Sequence, residues 1–122
     1  MAKKILIVDD EPDILQLLEM RLRANGFEVV TGSSGEQALQ KVKQEGPDLI
    51  VMDVLMPPPN GYQTCRQLKD DPKYKDIPVI LLTAKTTESD QFWGMESGAD
   101  KYITKPYNAE DLLAAIKKLL KQ

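Results

Sequence analysis

The chain has 122 residues, a net charge of −3 and no histidine, so chemistry that needs an imidazole must borrow it from another molecule. This length buries one core without staples, and the balanced charge lacks the basic face that non-specific nucleic-acid binding requires. The single cysteine cannot form an internal disulfide, the apolar runs are strand-length, and no secretory leader pattern is present, which fits a cytoplasmic protein without membrane contact.

Apolar runs then alternate with helical patterns along the chain. Residues 5–8 are continuously apolar, as a strand covered on both faces should be. Pro12 suits the first position of a helix that Asn25-Gly26 ends. Residues 27–31 carry Glu28 and read as an edge strand. Ser33 with Glu36, or Ser34 with Gln37, offers a capping box to a second helix, closed by Gly46-Pro47. Residues 49–52 are again apolar throughout, Gly61 leads into a third helix, and Asp71-Pro72 ends it. Residues 79–82 form the fourth run, after which Thr87 with Asp90 can cap a fourth helix followed by Gly98. After a short strand near Tyr102 and Ile103, Asn108 caps a fifth helix with Asp111 at its third position, and Tyr107 and Leu112 form a hydrophobic staple. Leu112, Leu113, Ile116, Leu119 and Leu120 share one face of that helix, and Lys117, Lys118 and Lys121 favour its C-terminal dipole. Cys65 reads as a small core residue and Trp93 as either core or a partner anchor.

Five such βα units with right-handed crossovers predict an α/β fold, one domain over residues 1–122. The expected architecture is a doubly wound five-stranded parallel sheet in the flavodoxin-like order 2-1-3-4-5, with five helices and strands 1 and 3 adjacent at the switch point. Ligands bind beyond the carboxyl ends of such strands. There stand Asp9-Asp10-Glu11 after strand 1, Asp53 after strand 3, Thr83-Ala84 after strand 4, and Lys105-Pro106 after strand 5. Singly, each has a plain structural explanation: a helix cap for Asp9 or Asp10, a turn for Asp53, a good strand residue in Thr83, a solvated charge in Lys105. Jointly they make a chemical set. Crowded carboxylates call for a hard divalent cation such as Mg²⁺, an aspartate can be a nucleophile toward phosphorus, and a hydroxyl and an ammonium can receive phosphoryl oxygens.

Those residues resemble the receiver domain of two-component response regulators, of the single-domain, chemotaxis-regulator-like kind, and the likeness runs the whole length. It is carried by Ile5-Leu6-Ile7-Val8-Asp9-Asp10-Glu11, by Pro47-Asp48 through Asp53 to Met56-Pro57, by Asn60-Gly61, by Pro78-Val79 through Thr83-Ala84, and by Gly98-Ala99-Asp100 through Lys105-Pro106. The resemblance implies that Asp53 is the phosphoacceptor and that Asp10, Asp53 and the Leu55 backbone carbonyl hold Mg²⁺, for which Mn²⁺ can substitute. It implies that Asp9 acts on the metal through water and that Thr83 and Lys105 contact the phosphoryl group. Thr83 and Tyr102 would form the switch, remodelling the face made by the fourth helix, fifth strand and fifth helix. The structural alternative for Tyr102 is an edge-strand aromatic packed on the fifth helix. The implied partners are a histidine kinase or histidine phosphotransfer protein, and a downstream target protein or a detached output domain, with no direct nucleic-acid contact. The expected state is a monomer, with dimerisation on phosphorylation left open. The close of the last helix at Lys121-Gln122 favours a stand-alone receiver over one cut from a longer regulator.

The resemblance also leads us to expect a cis Lys105-Pro106 bond. Pro57-Pro58-Pro59 departs from the family in its proline content and should stiffen its loop. Leu55 and Lys85 occupy the positions that tune phosphoryl lifetime, and apolar Leu55 is expected to hinder the hydrolytic water. Two rival functions fit less well. A phosphohydrolase of the haloacid-dehalogenase type would need an aspartate at position 55 as general acid. A flavin-binding module would need a phosphate loop where Asp9-Asp10-Glu11 would repel a dianion. The reading is of a signalling module rather than an enzyme, because the acceptor is consumed until hydrolysis resets it.

Overall fold

The computed structural model describes residues 2–84 and 97–121. Five parallel strands, β1 (Lys4–Val8), β2 (Glu28–Gly32), β3 (Leu49–Asp53), β4 (Val79–Thr83) and β5 (Lys101–Thr104), form one sheet in the order β2-β1-β3-β4-β5. The helices among the described residues are α1 (Pro12–Ala24), α2 (Gly35–Glu45), α3 (Gly61–Asp70) and α4 (Ala109–Leu119). Five helices were expected. The fourth helical pattern, with Thr87, Asp90 and Trp93, lies outside the described residues, so α4 is the fifth pattern of the sequence.

Local chemistry sets the element ends. Pro12 starts α1, where its missing N–H costs nothing. Ser34, not Ser33, caps α2: its hydroxyl accepts from the Gln37 amide, while the Gln37 side chain accepts from the Ser33 amide, one residue short of a reciprocal box. The full capping box is at α3, where Asn60 Oδ1 accepts from the Gln63 amide at 2.9 Å and Gln63 Oε1 from the Asn60 amide at 2.8 Å. Asn108 caps α4 through the Asp111 amide. The Lys105–Pro106 peptide is cis, as is Pro58–Pro59.

Strand alternation divides the core between two faces. On one face Ile5, Ile7, Leu49, Val51, Ile80, Leu82 and Ile103 meet Leu18 and Leu22 of α1 and Leu112 and Ile116 of α4. On the other, Leu6, Val8, Ile50, Met52, Val79 and Leu81 meet Ala38 and Val42 of α2 and Cys65 and Leu68 of α3. Helices on both faces of a parallel sheet explain why β1, β3 and β4 are apolar at successive positions. Tyr102 packs against the second face, opposite α4, and its hydroxyl lies 3.3 Å from Ser97 Oγ. The alternative of a Tyr102 packed on the last helix is therefore not found: adjacent strand residues point to opposite faces, and it is Ile103 that faces α4.

Candidate metal and phosphoryl site

Parallel register carries the sequence-separated acidic and basic groups to one rim. Val8 pairs with Met52, so the chain leaves β1 at Asp9 beside Asp53, the last residue of β3. Asp53 pairs with Leu82 and Thr83 with Thr104, which brings Thr83 and then Lys105 to the same edge. The Lys105 amide donates to the Thr83 carbonyl at 2.6 Å, continuing the ladder one residue beyond the strand.

At this rim one carboxylate oxygen from each of Asp9, Asp10 and Asp53 lies within 4.8 Å of the others. Asp9 and Asp53 are buried and Asp10 is exposed, giving the cluster one solvent-facing side. Lys105 Nζ donates to Asp53 Oδ1 at 2.7 Å, so the lysine is an ion-pair partner and not merely a solvated charge. Among the described residues, the Lys105 ammonium faces three carboxylates. Burial pushes the Asp9 carboxyl above the ordinary aspartate pKa, opposed by the Glu11 amide and aided by the charge of Asp53. For Lys105, burial acts against the ammonium, but the hydrogen bond and charge of Asp53 outweigh it and hold its pKa above the ordinary lysine value.

The residues fit a divalent cation. Asp9 Oδ1 accepts from the Glu11 amide at 2.9 Å, whereas Asp9 Oδ2 is buried with no hydrogen-bond partner among the described residues. A buried carboxylate oxygen left bare costs free energy, and a metal or its bound water would satisfy it. The donors are all oxygens, the chemistry Mg²⁺ prefers. Leu55 stands at the rim, 66% exposed.

A groove of about 460 Å³ adjoins the cluster, lined by Asp10, Leu55, Met56, Pro57, Asn60 and Tyr62 among others. Sequence reasoning overlooked Asn60, Tyr62 and Gln63 as neighbours of the site; the Asn-x-x-Gln pattern at 60–63 was the available signal. The sequence marks Tyr107 only as a staple. It packs half-buried against the core, and burial raises its phenol pKa while the charges of Lys105, Asp9 and Asp53 also act on it. Tyr102, expected as part of the switch, has its hydroxyl beside Ser97.

The family model of the response regulator receiver domain matches residues 5–117. The alkaline phosphatase synthesis transcriptional regulatory protein PhoP of Bacillus subtilis (strain 168) is 44% identical over 122 residues, all of this chain and 50% of that protein. The chain thus spans about half the length of the curated relatives it matches. Among solved structures, the signal receiver domain of a signal transduction histidine kinase from Syntrophus aciditrophicus superposes with a TM-score of 0.94 at 40% identity, covering 98% of this chain and 91% of that one. The receiver domain of a sensor histidine kinase from Pseudomonas aeruginosa PAO1, with a magnesium ion coordinated in its active-site cleft, gives a TM-score of 0.90 at 26% identity, covering 100% of both chains.

Proposed function

Because the chain belongs to the response-regulator receiver family, we propose that it is a phosphorylation switch whose acceptor is Asp53. The supporting observation is the buried Asp53 carboxylate, held 2.7 Å from Lys105 Nζ within a three-aspartate cluster. Asp10, Asp53 and the Leu55 carbonyl would hold Mg²⁺, with Asp9 reaching it through water. Such an ion, when bound, neutralises charge on the transferred group.

The chain's own groups do the rest. A carboxylate oxygen of Asp53 attacks the phosphorus of a partner's phosphohistidine. The P–O bond forms as the P–N bond breaks, and the imidazole leaves with the partner. These 122 residues hold no histidine, so the phosphohistidine lies outside them. Lys105 moves from its bond with Asp53 toward a phosphoryl oxygen, and the Thr83 hydroxyl donates to a second. Hydrolysis of the acyl phosphate returns the carboxylate. Nothing here turns over a pool of substrate, so the protein is a signalling module rather than an enzyme. Tyr102 and the face around β5 would report the phosphorylated state to a downstream protein or an output domain. A cytoplasmic place of action belongs to the same reading; no helix among the described residues is long and apolar enough to cross a membrane.

Phosphoramidate, a P–N donor like phosphohistidine, tests the reading by intact mass. One phosphate should add to the wild type only with Mg²⁺, and none to Asp53→Asn. An equal adduct on Asp53→Asn, or no adduct on the wild type, would overturn it.

A further inference from the structure

Two glycines pin the loop between Asp53 and α3 at places where no side chain fits. Gly61 opens α3 against the backbone at the end of β3: a Cβ there would lie 2.6 Å from the Asp53 carbonyl oxygen and 2.7 Å from Val54 Cα. Its amide donates to the Val54 carbonyl at 3.1 Å. Gly35, the first residue of α2, meets the other end of the loop. A Cβ on Gly35 would collide with Thr64 Oγ1 and would lie 2.5 Å from the Pro59 carbonyl oxygen and 2.9 Å from Pro59 Cγ. Thr64, fully buried in α3, donates its hydroxyl to the same Pro59 carbonyl at 3.4 Å.

We infer that Gly35 and Thr64 are positioning residues for the metal and phosphoryl site, acting through Pro59 to fix the course of residues 54–59. The inference rests on the metal-dependent reading above. Neither residue belongs to the acidic cluster. Yet the Pro59 carbonyl they both touch is main chain, and it cannot rotate aside as a side-chain end would. Pro57, Pro58 and Pro59 each have a fixed φ, which leaves the stretch fewer torsions with which to absorb a displacement at Pro59 before it reaches Leu55. Leu55 and Asp10 line one groove, and a shift of the loop changes where Leu55 stands relative to the carboxylates. The first turn of α2 is thereby part of the scaffold that sets metal affinity, besides packing on the sheet.

The test is a calorimetric Mg²⁺ titration of the wild type, Gly35→Ala, Thr64→Val and Thr64→Ser, with melting temperatures in EDTA measured alongside. Gly35→Ala should weaken Mg²⁺ binding about tenfold, the scale on which outer supports of a metal site act. Thr64→Val, which keeps the shape and loses the hydroxyl, should also weaken it, and Thr64→Ser should match the wild type. Lower melting temperatures with an unchanged Mg²⁺ affinity in Gly35→Ala and Thr64→Val would reduce the junction to packing and overturn the inference alone. Should Gly35→Ala fail to fold, the valine and serine variants decide. A wild type that binds no Mg²⁺ would instead overturn the metal-dependent reading, and the inference with it.

Discussion

Asp9 holds a carboxylate where burial favours the neutral acid. Its folded pKa stands above the unfolded value, so its contribution to stability is fullest below the ordinary aspartate pKa and declines as pH rises through the shifted one. In EDTA at neutral pH, Asp9→Asn should therefore melt higher than the wild type, and the gap should close on acidification. A lower melting temperature at neutral pH would contradict the desolvation account. Lys105 has linkage of the same sign in a far higher pH window. Its raised pKa keeps the pair with Asp53 intact through neutral pH, and the stabilisation is lost only as pH climbs past the ordinary lysine value. Lys105→Met removes a cation that competes for Asp53, so Mg²⁺ should bind more tightly while phosphorylation slows about 100-fold, the scale of one lost charge-stabilising donor. Calorimetry and adduct rates read the two effects separately. Cys65 is buried and its thiol is pushed up to about 11. Iodoacetamide at pH 8 should leave it unmodified in the folded protein and label it promptly in denaturant. These residues were legible to different degrees. Asp9, Asp53, Thr83 and Lys105 could be placed at strand ends by counting, but the bare Asp9 oxygen and the Lys105–Asp53 bond depend on three-dimensional distances that spacing does not encode.

At the scale of elements, the helix starts show what a sequence can and cannot specify. Ser34 and Asn108 were readable because a cap is local, a side chain reaching an amide three residues on. Asn60 was passed over in favour of Gly61, although it closes a reciprocal box with Gln63 at the head of α3. Asn60→Ala should cost about 1 kcal/mol, and the resulting fall of a few degrees in Tm is read in a thermal melt. A melt identical to that of the wild type would mean the cap carries no net stability. The face to which Tyr102 turns is hidden in the sequence for a related reason. Strand position was legible, but which face a short edge strand turns inward depends on its register with β4, where Leu81 pairs with Tyr102. Leu55 is exposed at the groove, where the proposed shielding of the hydrolytic water can be tested. A Leu55→Asn variant should lose phosphate faster than the parent, and equal decay would remove the proposed shielding of the hydrolytic water.

For the molecule as a whole, parallel pairing is what turns five weak signals into one site. The two-faced apolar pattern of β1, β3 and β4 dictated a covered parallel sheet, and the sheet then delivers every strand's C-terminal end to the same rim. The strand order could be inferred because Glu28 marks β2 as an edge. The junction of Gly35, Pro59 and Thr64 could not, since nothing in a linear chain says that α2 and the proline loop will touch. Asp53, among three neighbouring aspartates, is the one proposed to become an acyl phosphate. Borohydride reduces an acyl phosphate to the alcohol, so trapping the phosphorylated protein and sequencing its peptides by mass spectrometry locates the acceptor directly. Homoserine at position 53, dependent on Mg²⁺ and donor, is the predicted result. Homoserine at position 9 or 10, with position 53 unreduced, would contradict the account.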